Sequence, residues 1–218
     1  MAAIVPHRFL VRFCHPVPYH KAMPLSGGKV VQLPETARLE NFAELDELTN
    51  FADFRIAWNE LGLGVQLTVT GKRQPVECDA DRPQTSDGLL LWIDTRGDRT
   101  AHRASRHCHQ FALLPAGAGK DKDGPGFSQS KINRALVDAP LCNSSDVPFR
   151  VQRTKAGYTL EAFFTAGVLN GYDPEQHPRL GIGYAVRDAE LGDQYLGMNR
   201  DFPIADDPSL WASMELVK

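Results

Sequence analysis

The sequence predicts an all-β protein, an antiparallel β-sandwich or jelly roll that carries an irregular N-terminal arm. Three observations support this prediction. About eight or nine short segments alternate apolar and polar residues, or are wholly apolar, at the spacing of hairpins. The 218 residues include 18 glycines and 15 prolines, which is typical of strands joined by turns. Little of the chain shows the helical period of an amphipathic helix.

Residues 1–51 are predicted to form an arm packed on the main domain, because they contain too little apolar sequence for a core of their own. Within it, "RFLVRF" is predicted to be a short strand and "HPVPYHKAMPLSGG" to be irregular. The acidic "LENFAELDELTN" is predicted to hold a helical turn or a loop. The β-sandwich domain is predicted to span residues 52–218.

Within that domain, "FRIAW" and "GVQLTVTG" alternate around the turn "NELG" and predict a hairpin. The apolar "LLLWID" predicts a buried central strand, and "HCHQFALLP" a further strand. Residues 116–146 are predicted to form a long connection with a mobile loop at "GAGKDKDGPG". A hairpin turning at Lys155, Ala156 and Gly157, and strands at "LGIGYAVRDAE" and "LWASMELV", complete the domain.

The composition argues against several classes of partner. A net charge of −3 gives no electrostatic reason to expect nucleic acid or an anionic membrane. No apolar run reaches the ~18 residues of a membrane helix. His7, Arg8 and Arg12 interrupt any signal peptide, so we expect a cytoplasmic rather than a secreted protein. Free thiols are expected at the four cysteines: Cys14, Cys78, Cys108 and Cys142.

The stretch "AHRASRHCHQF" from Ala101 to Phe111 is the densest group of metal-ligating and basic residues. On a strand, His107 and His109 point to the same face and could bind one zinc-type ion, with His102 as a third ligand if the loop folds back. A polar sheet face is the simpler alternative. A polar or anionic ligand is a third. The candidates for ligand contact are Trp92, Arg103, Arg106, His107, His109 and Arg187.

Other side chains could support metal binding or catalysis. Asp79, Asp81 and Asp87 could bind a calcium ion, or could simply belong to a solvated loop. Glu161 and Asp188 are the one carboxylate pair that resembles a glycosidase acid pair, but no spacing brings them together. No nucleophile-elbow, HExxH or P-loop motif is present. We therefore predict that the protein is not an enzyme and requires no cofactor.

Three tryptophans are candidate sugar-stacking platforms. Trp58, Trp92 and Trp211 each lie on a predicted strand beside apolar residues. Core positions are therefore the preferred interpretation, although carbohydrate sites do use exposed aromatic rings beside polar groups.

Six motifs occur in an order that resembles the family 9 carbohydrate-binding modules and the wider DOMON-like β-sandwich superfamily. They are "FRIAWNELGLGVQLTVTG", "SDGLLLWIDTR", "HQFALLP", "GYTLEAFFTAGVLNGYDP", "LGIGYAVRDAE" and "DPSLWASMELV". The resemblance covers roughly Ala52 to Lys218. It implies a non-catalytic module that binds a glycan, accessory to polysaccharide degradation.

The sequence departs from the family at the sugar clamp. In sugar-binding members two tryptophans sandwich the end of the glycan, and the matching positions here are Gln84 and Ala205. The positions from which the family points polar groups at the sugar are Leu90, Ala112 and Ala185. The resemblance therefore implies a retained scaffold that has lost the known clamp, because fold alone does not transfer a site.

The loss of the clamp leaves alternatives open. Relatives in the superfamily hold haem b in an apolar pocket, and a comparable face here would contain Leu90, Trp92, Ala112, Leu114 and Ala185. The candidate axial ligands are Met198, Met214, His107 and His109. A haem- or metal-binding sandwich is thus the second hypothesis. A module with no small ligand is the third.

Overall fold

Two β-sheets pack face to face around the main core in the computed structural model, which describes residues 5–218. The strands are β1 (Cys14–Pro18), β2 (Ala52–Asn59), β3 (Gly62–Thr70), β4 (Gly88–Asp94), β5 (Cys108–Ala118), β6 (Gly124–Ser130), β7 (Phe149–Thr154), β8 (Gly157–Thr165), β9 (Arg179–Asp188), β10 (Gly192–Tyr195) and β11 (Ala212–Val217). One short helix, α1 (His7–Leu10), precedes them. Short 3-10 helices cover Glu35–Ala37, Ala43–Asp46, Pro83–Thr85, Ser144–Asp146 and Pro208–Leu210. The predicted β-sandwich is confirmed.

The larger sheet has seven strands in the order β1-β11-β9-β4-β5-β6, with β10 beside β9. The first half of β9 pairs with β11 and its second half pairs with β10. The smaller sheet has the order β2-β3-β8-β7. Every pair is antiparallel except β1 with β11, which are parallel.

Alternate residues of the central strands form the core, because successive side chains of a strand point to opposite faces. Two aromatic pairs join the sheets across this core. The rings of Phe54 and Tyr184 stack with centroids 4.5 Å apart, and those of Phe111 and Phe164 lie 4.6 Å apart. Leucines, isoleucines and valines fill the space around them, among them Leu63, Val65, Leu67, Leu89, Leu91, Ile93, Leu180 and Ile182.

The N-terminal segment contacts both sheets. Strand β1 extends the larger sheet, and the residues after it cover the outer face of the smaller sheet. The carboxylate of Glu161 accepts the backbone N–H groups of Val30 and Val31, at 2.9 and 3.3 Å. Apolar side chains bury this contact: Met23, Val30, Val31, Leu33, Ala37, Ala57 and Phe163. The first four residues of the predicted arm lie outside the described residues.

Most predicted elements are confirmed, including both hairpins, strands β4, β5, β9 and β11, and the helical turn at Ala43–Asp46. The predicted strand "RFLVRF" is wrong, because His7–Leu10 forms α1 and the strand follows at Cys14–Pro18. The connection predicted over residues 116–146 contains β6. Its glycine-rich segment is the turn of the β5–β6 hairpin, with the N–H of Gly117 bound to the carbonyl of Lys122 at 2.8 Å. No helix among residues 5–218 has the length and apolar character to cross a membrane.

Candidate functional site

The two histidines at the start of β5 point into one end of the core. His107 precedes the strand, and its Nδ1 lies 3.3 Å from the carbonyl oxygen of Asn170. His109 is fully buried, with its ring parallel to that of Phe111 at 5.9 Å. Burial is the main reason that the pKa of His109 is lowered to about 4. The carbonyl of Asn170 opposes this shift, and the charge of His107 adds to it. His109 is therefore neutral near pH 7.

The structure brings His107 and His109 together without a third metal ligand. His102 lies on an exposed loop, where its Nδ1 is 3.1 Å from a carboxylate oxygen of Asp207. Among residues 5–218, no group of three or more His, Cys, Asp or Glu side chains is arranged to hold a metal ion. Within the described part of the chain, Nε2 of His109 has no hydrogen-bond partner. The geometry is that of a buried core histidine next to a half-buried one.

A lysine lies between two buried carboxylates, one of which belongs to the predicted calcium group. Nζ of Lys72 donates to Asp87 at 3.1 Å and to both oxygens of Asp188 at 2.8 and 2.7 Å. Burial alone would lower the pKa of Lys72, but the hydrogen bonds to Asp188 and Asp87 raise it above its ordinary value. The ammonium group takes the place that a cation would take between these carboxylates.

The other two members of the predicted calcium group do not join Asp87. The carboxylate of Asp79 pairs with Arg82 at 3.1 Å and with Lys122 at 3.3 Å. Asp81 is exposed, and its N–H donates to Asp79. The carboxylates of Asp79 and Asp87 therefore bind different cationic side chains of the protein, and the three aspartates do not converge on one point.

The outer face of the larger sheet, where the sugar clamp would lie, is filled with side chains. Trp92 is 3% exposed, and its Nε1 donates to Gln110 at 2.8 Å. Gln110 in turn donates to Ser130 at 2.7 Å. Two loops cover this face with apolar groups that include Ile132, Met198, Phe202, Ile204 and Ala205. Trp92 therefore offers no free ring to a ligand, which corrects its prediction as a contact residue.

The three arginines that were predicted to contact a ligand, and the clamp position Gln84, lie at the edges of this face. Gln84 is exposed, and its carbonyl accepts a hydrogen bond from Arg187. Nε of Arg187 is also 3.5 Å from the carboxylate of Asp193. Nε of Arg103 donates to the carbonyl of Arg134 at 2.8 Å. Arg106 is exposed, and its carbonyl accepts from the side chain of Asn170. The structure does not bring these arginines to one point.

The predicted haem face has no room for a porphyrin. Leu90, Trp92 and Ala185 pack in the cluster on the outer face, together with Met198. Met214 lies in the core between the sheets, the side to which the ring of His109 also points. The predicted axial ligands thus lie on opposite faces of the larger sheet. Nothing supports the haem alternative.

An open groove of about 950 Å³ lies between residues 43–51 and residues 191–201. We call it the arm groove. Gln194 fixes its floor, because its side chain accepts the N–H groups of Phe51 and Ala52 and donates to the carbonyl of Ala52. The hydroxyl of Tyr195 donates to Asp193 at 2.9 Å. Burial, together with the neighbouring carboxylate of Asp193, raises the pKa of Tyr195 to about 12.

The rim of the arm groove combines apolar and polar side chains. Leu45 and Leu48 are about half exposed, at 47% and 54%. Asp193 and Arg200 contribute opposite charges, 3.7 Å apart. Such a mixture suits a sugar, which presents an apolar face and a polar edge. Sequence reasoning missed this groove because its two walls are far apart along the chain and neither contains a recognisable motif.

The described architecture defines a two-sheet β-sandwich of the kind found in carbohydrate-binding modules. Two structures of a family 9 carbohydrate-binding module from Caldicellulosiruptor kristjanssonii resemble it with a TM-score of 0.60. The structure in complex with cellotriose is 16% identical over 94% of this chain and 93% of that chain. The structure in complex with glucose is 15% identical over 93% and 94%. The predicted resemblance in fold is confirmed, and it extends over the N-terminal segment.

A putative carbohydrate-binding protein from Bacteroides uniformis also aligns, with a TM-score of 0.48 and 11% identity over 76% of this chain and 78% of that chain. No family model and no curated protein matches the sequence.

Proposed function

We propose that this protein is a non-catalytic module that binds a glycan. One observation carries the proposal: the fold follows that of a module with bound cellotriose over 94% of this chain and with bound glucose over 93%. The arm groove supports it, because it offers apolar and polar groups side by side on the surface.

The glycan binds in the arm groove rather than on the outer face of the larger sheet. That face has no clamp, since Gln84 and Ala205 stand where the family has tryptophans, and its centre is packed with apolar side chains. In the groove, the exposed Leu45 and Leu48 are available to the apolar face of a sugar ring. Arg200 is available to its hydroxyl groups, because its side chain is 71% exposed.

A binding role also agrees with the positions of the two carboxylates that resemble a glycosidase acid pair in the sequence. Glu161 lies in the smaller sheet and holds the backbone of Val30 and Val31. Asp188 lies in the larger sheet and holds Lys72. Both side chains therefore have partners within the protein, which supports a module without hydrolytic activity.

Titration calorimetry with cellotriose, glucose and a panel of other soluble oligosaccharides tests the proposal. We expect Leu48→Ala combined with Arg200→Ala to weaken the binding of the recognised sugar at least tenfold. Leu61→Ala is the matched control, because Leu61 is equally exposed (60%) but lies at the β2–β3 turn. Gln84→Ala tests the clamp position and should change nothing.

Failure of every glycan to bind would contradict the proposal. If Gln84→Ala weakened binding while the groove variant did not, the site would lie on the outer face of the larger sheet. Location and function are therefore tested separately by one set of variants.

A further inference from the structure

A second, smaller pocket lies on the N-terminal segment and is lined by three arginines. We call it the arginine pocket. The residues that line it include Arg8, Arg12, Phe13, Phe42, Arg99 and Trp211. Its volume is about 40 Å³. None of the described residues that line it is an aspartate or a glutamate. The protein therefore collects positive charge here without lining the pocket with the opposite charge.

Among the residues that the structure describes, only one of these arginines has a carboxylate partner. Nε of Arg8 lies 3.1 Å from the carboxylate of Asp46, and its Nη1 donates to the carbonyl of Tyr195 at 3.1 Å. Within residues 5–218, the side chains of Arg12 and Arg99 make neither an ion pair nor a hydrogen bond. Two positive charges of the pocket are thus not neutralised by any residue that the structure describes.

Arg99 is held in an unfavourable state. Its Nε is buried and has no acceptor among residues 5–218, although buried donors in folded proteins are nearly always hydrogen-bonded. Burial lowers the pKa of Arg99, and the charge of Arg12 lowers it further. The two arginines line the same small pocket, so their like charges repel each other. An anion between them would supply the missing acceptor and remove the repulsion.

We propose that Arg12 and Arg99 bind the oxyanion of a small ligand, either a carboxylate or a phosphate. The pocket has room for a few water molecules, since a cavity needs roughly 10–15 Å³ to hold one water. That space admits one oxyanion but not a ring. Guanidinium groups bind both oxyanions through paired N–H donors.

The body of the ligand lies outside the pocket, over Phe13. The ring of Phe13 is 44% exposed and stacks on Phe42 with centroids 4.3 Å apart and planes at 18°. A planar or pyranose ring can pack on such a fixed aromatic surface. His15, which lines the same pocket, adds no charge near pH 7, because burial lowers its pKa to about 4. Ligands with an anionic group attached to a ring therefore fit best.

Calorimetry at low ionic strength, in a buffer without phosphate, tests this inference. The probes are inorganic phosphate, glucose 6-phosphate, glucuronate and neutral glucose. We expect an anionic probe to bind, and Arg12→Gln and Arg99→Gln each to weaken it at least tenfold. Arg38→Gln is the control, because it removes the same charge from an exposed pair with Glu40 elsewhere on the arm. Preference for glucuronate or for glucose 6-phosphate identifies the oxyanion.

The inference is overturned if no anion binds, or if Arg38→Gln weakens binding as much as the pocket variants do, since the effect would then be one of net charge. Arg12 is exposed, so Arg12→Gln keeps the test valid even if Arg99→Gln does not fold. Binding of a neutral glycan should be unchanged in Arg12→Gln. Failure of the anion site and failure of the proposed glycan function are therefore distinguishable.

Discussion

Two cationic centres of this sandwich, Lys72 and Arg99, differ in where their counter-charge comes from. Lys72 is 5% exposed, and the carboxylates of Asp87 and Asp188 surround its ammonium group. Arg99 has a buried Nε with no acceptor in the described part of the chain, and it lines a pocket with two other arginines and no carboxylate. A buried charge that the protein satisfies itself holds the fold together. One that the protein leaves unsatisfied is available to a ligand.

The largest expected effect is at Lys72, the satisfied centre. Lys72→Met leaves Asp87 and Asp188 close together and buried without a cation, which should reduce the free energy of unfolding by about 3–5 kcal/mol. Urea denaturation at pH 7 measures it. Lys131→Met is the matched control, since its 2.7 Å pair with Asp138 is exposed and should be worth about 1 kcal/mol or less. Equal losses in the two variants would mean that the Lys72 cluster is not what stabilises this end of the sandwich.

A smaller effect is expected at His109, which is buried like Lys72 but has one unpartnered nitrogen. Burial lowers its pKa from 6.5 in the unfolded chain to about 4. The unfolded state therefore binds the proton more tightly, so stability is fully present above pH 6.5 and is lost as the pH falls towards 4. Between pH 7.5 and pH 5 this histidine should account for about 2 kcal/mol.

Urea denaturation of His109→Gln at both pH values measures this contribution. His15, whose pKa burial also lowers to about 4, should leave a similar dependence in place. His102→Gln, on the exposed loop, is the control and should behave as the wild type. If the free energy of unfolding of His109→Gln fell as much between pH 7.5 and pH 5 as that of the wild type, other groups would cause the sensitivity to acid.

The indole N–H of Trp92 is an uncharged buried donor whose acceptor, Gln110, is supplied by the protein. Gln110→Leu leaves the buried indole N–H without an acceptor and should cost about 1–2 kcal/mol in urea denaturation. Gln32→Leu is the control, because Gln32 is exposed and accepts only from Lys29. A loss no greater than that of the control would show that water reaches the indole, and that the outer face is more open than its packing indicates.

The sequence predicted every strand with two neighbours, and both edges of the smaller sheet, but it missed β1, β6 and β10 at the edges of the larger sheet. Strands β3, β4, β8 and β9 are buried in the middle of a sheet, so their apolar pattern is strong. Strand β1 contains Pro16 and Pro18, which an edge strand tolerates because it forms a ladder on one side only. Strand β6 is the opposite edge, and most of its residues are only partly buried. Strand β10 has four residues, two of them exposed. Their signal in the sequence is correspondingly weak.

The polar clusters could not be predicted for a different reason. Lys72 lies 15 residues from Asp87 and 116 from Asp188, so no local spacing links them. Arg12 and Arg99 belong to the N-terminal arm and to the loop before β5, which meet only because β1 joins the sheet beside β11. The histidine motif attracted attention because its members are close in sequence. The candidate binding sites join segments that are close only in space.

The smallest expected effect, and the sharpest contrast with Lys72→Met, is that of Arg99→Met. Methionine keeps the length of the side chain and removes a buried N–H that has no acceptor among the described residues. Stability without ligand should therefore change by no more than about 1 kcal/mol and can rise. Urea denaturation with and without phosphate, or whichever anion binds, measures it. At 100 times its dissociation constant the anion should stabilise the wild type by about 2.7 kcal/mol and the variant by much less. A loss without ligand comparable to that of Lys72→Met would show that Arg99 is a structural charge whose partner is a part of the fold. Stability retained together with loss of the anion effect would mean that the acceptor of Arg99 comes from outside the chain.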